Sequence, residues 1–146
     1  MAEEKTRLVK ATASWKGGGL QGKIDYLNGV KLDFVAPAPL GPRTDMITPE
    51  GSLVAALCMC YELTLVFFLQ SMKIEVSELE VRGVGDAPGD VGPGKGFKKI
   101  ELKPVFKVKK ADKDKALKAV NQAKDYCLVA NSLKAPITLA PEINTI

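Results

Sequence analysis

The apolar positions of the chain switch between two periods, and the switches mark its elements. Leu8, Ala11, Ala13 and Trp15 alternate loosely with polar residues and predict a strand over residues 6–15 that stops at Gly17-Gly18-Gly19. Residues 21–27 and 30–35 predict a hairpin about Asn28-Gly29, a favoured two-residue turn pair, with Val30, Leu32 and Phe34 on one face and Lys31 and Asp33 on the other. A loop with Pro37, Pro39, Gly41 and Pro42 leads to Thr48-Pro49-Glu50, which has the chemistry of a helix start: a capping hydroxyl, a proline whose missing N–H costs nothing there, and a carboxylate suited to the dipole. From Leu53 to Leu69 only Glu62 and Thr64 interrupt an apolar run. Period two returns over residues 73–84 (Ile74, Val76, Leu79, Val81) and 97–109 (Ile100, Leu102, Phe106, Val108), where Pro104 predicts an edge position or a bulge. Residues 112–126 predict a helix with Ala116, Leu117, Val120 and Ala123 facing inward, 128–133 a short helical piece, and 136–139 a last strand.

This order predicts an α+β fold rather than alternating βαβ units. It reads as a single domain over residues 1–146, with a three-stranded sheet at about 6–35, a central helix at about 49–72 and a β-β-α-α-β part at about 73–140. The run at 53–69 is shorter than the roughly 20 apolar residues of a membrane span, carries Glu62 and follows a soluble sheet, so no membrane is expected. A helix apolar nearly all round must be covered on most sides. In so short a chain its own sheet can cover one side, and a second subunit is the natural source of the rest.

Composition changes this picture mainly by exclusion. The 146 residues contain no histidine, so Ser-His and Cys-His dyads, HExxH zinc sites and histidine switches are impossible. The net charge of +4 comes from eighteen lysines against three arginines, which argues for solubility more than for a nucleic-acid surface. Three cysteines are too few for a disulfide scaffold. The start Met-Ala-Glu-Glu-Lys has no apolar signal region, and a cytoplasmic, reducing compartment is the expectation.

Several motifs carry less than they suggest. Residues 89–95 fit GxxxxGK, but Gly96 stands where a magnesium-binding hydroxyl belongs and a strand follows instead of a helix. The lysines between Lys98 and Lys124 lack interleaved aromatics and arginines, and read as a solvated face with no nucleic-acid partner. Cys58 and Cys60 lie about 200° apart on a helix, so their thiols diverge. Cys58 reads as a small core hydrophobe, with no metal or cofactor expected.

The informative set is Glu50, Cys60 and Cys127. The segment Thr48-Pro49-Glu50-Gly51-Ser52-Leu53-Val54-Ala55-Ala56-Leu57-Cys58-Met59-Cys60 resembles the signature of the OsmC/Ohr family, in which Pro-Glu begins the central helix and a cysteine follows ten residues after the glutamate. The segment from Ala123 to Leu133, with Cys127-Leu128-Val129, resembles that family's second cysteine motif, and the resemblance extends over about residues 8–140. It implies an OsmC-like fold: antiparallel sheets wrapped around long buried central helices in an intertwined homodimer. It also implies a thiol peroxidase that reduces organic hydroperoxides, with Cys60 as peroxidatic thiol, Cys127 as resolving thiol, Glu50 as orienting carboxylate, and an external dithiol as reductant, a lipoyl-type carrier being one form. The family's bridging arginine often follows a Gly-Gly pair, and here Leu20 follows Gly18-Gly19. Arg43, in the proline loop, is the replacement from the loop some relatives use, with Lys23 or no cation as alternatives. Ten residues of helix are about 15 Å of rise and about 80° out of phase. Glu50 therefore serves Cys60 of a second subunit unless the helix breaks near Gly51. The rival expectation is an OsmC-like dimer without peroxidase activity that binds an apolar ligand at its subunit interface.

Overall fold

A computed structural model describes residues 4–37 and 45–146. The chain folds as two compact units, residues 1–52 and 53–146.

In the first unit, β1 (Thr12–Ser14), β2 (Gln21–Asp25) and β3 (Lys31–Val35) form an antiparallel sheet in sequence order. Its register pairs Ala13 with Ile24 and Ile24 with Leu32, and puts Gly22 opposite Phe34. These residues share one face, while Thr12, Lys23, Asp25, Lys31 and Asp33 share the other, where Lys23 and Asp33 pair at 2.8 Å. The alternation read from the sequence is therefore the alternation of the sheet. The turn differs from the expected two-residue form: Tyr26 N–H donates to the Val30 carbonyl, and the positive φ values fall at Leu27 (59°) and Gly29 (94°) instead of at Asn28 and Gly29. Side chains set this longer loop, since Asp25 Oδ1 accepts from Leu27 N–H and Asn28 Oδ1 from Val30 N–H. β1 is also shorter than expected, and Leu8 and Trp15 are exposed.

Helix α1 (Pro49–Ser71) starts as the Thr-Pro-Glu run predicts. Thr48 Oγ1 accepts from Gly51 N–H at 3.1 Å and the Thr48 carbonyl from Ser52 N–H at 2.8 Å.

In the second unit, β5 (Lys99–Val108) is the central strand. β4 (Leu79–Asp86) pairs with it antiparallel on one side; β6 (Ile137–Leu139) and β7 (Glu142–Thr145) pair with it parallel. Pro104 therefore lies neither on an edge strand nor in a bulge. β6 covers residues 100–102 and β7 covers 105–108, so the residue that cannot donate falls at the gap between them. β7 was not expected, because Glu142-Ile143-Asn144-Thr145 offers one apolar residue and no period. β4 begins at Leu79 rather than at residue 73, since the chain turns at Lys73 (φ 57°) and Ile74 packs into the core from outside the strand.

The core of this unit is built from three stripes. Leu57, Tyr61, Leu65 and Leu69 come from α1; Ile100, Leu102, Phe106 and Val108 alternate along β5; Ala116, Ala119, Val120 and Ala123 come from α2 (Lys113–Tyr126). Ala119 takes the inward place expected of Leu117, which is 45% exposed. Small residues on α2 let it lie close, and Leu117 falls just off the 116–119–120–123 stripe. The short α3 (Leu128–Asn131) follows. On α1 the opposite stripe, Met59, Leu63 and Phe67, is exposed. This helix is long and apolar enough to cross a membrane by length and composition, yet one stripe of it forms the core of a folded unit with β5 and α2.

Close packing of α1 over β4 depends on Gly83. A Cβ there would stand 2.5 Å from Cys58 Sγ and 3.0 Å from Val54 Cγ1. Gly83→Ala should lower unfolding free energy by about 1–3 kcal/mol through overpacking, and Cys58→Ala should restore part of the loss in the double variant. Denaturant titration of the four proteins checks this, and additive effects would contradict it.

Candidate active site

The second unit brings Cys60 and Cys127 together. Cys60 lies on α1 one residue before the buried Tyr61, and is half-buried. Cys127 is the hinge residue between α2 and α3, in extended conformation (φ −71°, ψ 112°), and is fully buried in the core cluster. Its N–H still donates to the Lys124 carbonyl at 3.3 Å, closing α2, while its sulfur caps α3 by accepting from Ala130 N–H at 3.5 Å. The Cys60 side chain is within interaction range of that sulfur. Both thiols are free.

The surroundings of the two sulfurs differ. Burial pushes the Cys127 thiol up to about 11; the Ala130 N–H opposes the rise, the adjacent Cys60 adds to it, and the Val129 N–H opposes it more weakly. At neutral pH Cys127 is therefore protonated. Cys58 faces elsewhere, toward Gly83 of β4, and burial, aided by the charge of Glu62, raises its thiol too. The divergence of Cys58 from Cys60 follows from helix rotation. Among the described residues no group of three or more Cys, Asp or Glu could hold a metal.

Tyr61 escaped the sequence reading. It is fully buried, and its hydroxyl donates to the Val120 carbonyl of α2 at 2.9 Å. Burial, and after it the nearby Cys127, raises its hydroxyl well above the usual tyrosine range. The signal was available: a phenol on the 57–61–65–69 stripe of an apolar helix needs an acceptor across the core.

Glu50 sits in the first turn of α1, within the first unit. Its Oε2 is buried and has no hydrogen-bond partner among the described residues. It lines a pocket of about 540 Å³ with Trp15, Leu20, Phe34 and Pro49, and the Trp15 indole N–H is held by the Gly19 carbonyl at 3.1 Å. Leu20 thus does occupy the wall beside the carboxylate. Lys23 is on the opposite face of that sheet, paired with Asp33. Arg43 lies outside the described residues. α1 is continuous through Gly51, so ten residues of unbroken helix separate Glu50 from Cys60.

Comparison with known proteins places this geometry in a class. The model of the OsmC-like protein family matches residues 42–142, and the chain belongs to that family. Among solved structures, an OsmC-like protein of unknown function from Vibrio cholerae is similar with a TM-score of 0.83 at 19% identity, covering 93% of this chain and 99% of that one. An organic hydroperoxide resistance protein from Elizabethkingia anophelis, with crystallant-derived thiocyanate bound, has a TM-score of 0.76 at 21% identity, covering 99% and 100%. The organic hydroperoxide resistance protein OhrB of Bacillus subtilis has a TM-score of 0.63 at 25% identity, covering 94% and 98%. No curated protein sequence matches the chain.

The contrast between the thiols has a direct readout. With iodoacetamide at pH 8 on the native protein, Cys127 should be the last of the three cysteines modified, and denaturation should abolish its protection. Peptide mass mapping over time gives the order, and early modification of Cys127 would contradict its burial.

Proposed function

We propose that this protein is a cysteine-based thiol peroxidase that reduces organic hydroperoxides to alcohols, working in the reducing cytoplasm. The observation that carries this reading is the juxtaposition of Cys60 and Cys127, a half-buried sulfur beside a buried one, inside a family that includes organic hydroperoxide resistance proteins.

In the proposed reaction the Cys60 thiolate attacks the distal oxygen of the peroxide. The O–O bond breaks, the alkoxide leaves and takes a proton as alcohol, and Cys60 becomes a sulfenic acid. The Cys127 thiolate then attacks that sulfur, hydroxide leaves as water, and a disulfide forms; an external dithiol returns both thiols. Glu50 is the orienting carboxylate. On this reading it serves the thiol of a second copy, supported by the helical rise of about 15 Å that separates it from its own Cys60 on α1. Arg43 is the cation that holds thiolate and carboxylate together, a role that suits an always-charged fork. A homodimer also accounts for the exposed Met59, Leu63 and Phe67 stripe, which a second α1 would cover.

One observation favours a second reading. Leu20 shares the Glu50 pocket, and a mostly apolar pocket with one buried carboxylate suits an OsmC-like dimer that binds an apolar ligand without turnover. The two readings separate in one assay. One equivalent of cumene hydroperoxide should consume two thiols and leave a Cys60–Cys127 disulfide, read by thiol titration and peptide mass. Turnover with a dithiol should be lost in Cys60→Ser and kept in Cys58→Ser. Retention of all three thiols would exclude the peroxidase reading.

Below about 11 the Cys127 thiolate is a minor species that grows about tenfold per pH unit. In single turnover, the step from sulfenic acid to disulfide should therefore accelerate from pH 6 to pH 9. A flat profile, followed by acid quench and mass spectrometry, would exclude Cys127 as the attacking group.

A further inference from the structure

Resting on the disulfide of the proposed function, we infer that the reducing thiol enters at Cys60, so that the mixed disulfide of the recovery step forms on the half-buried sulfur and Cys127 is the group expelled.

Thiol–disulfide exchange is an in-line displacement: the attacking sulfur approaches along the S–S axis, from the side opposite the leaving sulfur. For attack on Cys127 that approach must come through the core. Cys127 is 0% exposed, belongs to the core cluster with Ala119, Val120 and Ala123, and its sulfur accepts from the Ala130 N–H at 3.5 Å. For attack on Cys60, which is itself half-buried rather than enclosed, the approach comes from the side away from Cys127. Leaving-group chemistry alone points the other way, because the sulfur with the lower thiol pKa leaves faster and burial raises Cys127. Access decides, since a displacement without an approach path does not occur, and the Ala130 N–H is already placed to receive the charge that develops on Cys127.

The step balances. The thiolate of an external dithiol bonds to Cys60 Sγ as the Cys60–Cys127 bond breaks, and the electron pair goes to Cys127 Sγ, which takes up a proton. The second thiolate of the reductant then attacks the reductant's own sulfur in the mixed disulfide. Cys60 leaves as thiolate, and the reductant departs as its disulfide, having given two electrons.

The test uses the wild-type protein and Cys58→Ser, each oxidised with one equivalent of cumene hydroperoxide and then mixed briefly with 2-mercaptoethanol, a monothiol that cannot complete the second step. After acid quench, free thiols are alkylated in denaturant and the peptides mapped. The expected result is 2-mercaptoethanol on Cys60 and the alkyl label on Cys127, in a ratio of at least about ten to one. Equal or greater adduct on Cys127 would overturn this inference and leave the peroxidase reading standing. Absence of any disulfide after oxidation would overturn the peroxidase reading and this inference with it.

Discussion

Cys60 can stand beside Cys127 only because α1 and α2 are fixed against one another by the stripe at 57, 61, 65 and 69. Leu57, Leu65 and Leu69 each remove a large side chain from water, worth about 1.5–3 kcal/mol apiece. Tyr61 adds direction to that non-directional attraction, because its hydroxyl accepts only one placement, on the Val120 carbonyl. Cys60 is the next residue back on the same helix, and Cys127 is two turns beyond Val120 on the alanine-lined face of α2. A rotation of α1 that freed the phenol would strand a buried O–H and carry Cys60 away at once. The position of one thiol is thus tied to the satisfaction of one hydroxyl.

The same packing makes the two sulfurs unequal. Cys127 ends α2, caps α3 and lies inside the core, so it is chemically quiet until a partner sulfur next to it becomes electrophilic. Cys60, half-buried on the helix, is the less enclosed of the two. In the proposed cycle this asymmetry serves both half-reactions, since it directs the peroxide and the reductant to the same atom and keeps the resolving thiol from side reactions.

Much of this was legible in the sequence. Thr48-Pro49-Glu50 announced the start of α1, the divergence of Cys58 from Cys60 followed from rotation alone, and the two cysteine motifs pointed to the family that the comparison then showed. What failed to read was non-local. Pro104 suggested an edge because nothing in the chain reveals that two short parallel strands divide β5 between them. Leu117 looked inward because pattern alone cannot tell that alanines let α2 approach closely. The turn after β2 is the local exception: it holds Asn28-Gly29 as expected but is longer than two residues, because the Asp25 and Asn28 side chains recruit nearby backbone N–H groups. Tyr61 was counted as one more apolar residue, although its polar end was the part that mattered.

On the proposed reading, the exposed stripe of α1 and the separation of Glu50 from Cys60 are met together by a second copy. A single chain leaves Met59, Leu63 and Phe67 in water on a helix otherwise dedicated to a core, a cost that association of like with like removes. Among the described residues a single chain also leaves a buried Glu50 oxygen without a hydrogen-bond partner, toward the opposite end of the helix from Cys60. Antiparallel apposition of two such helices would cover the stripe and carry each Glu50 end toward the other copy's Cys60. On the proposed reading, then, completing the hydrophobic cover and completing the catalytic set are one event, and a subunit held apart from its partner would be short of both.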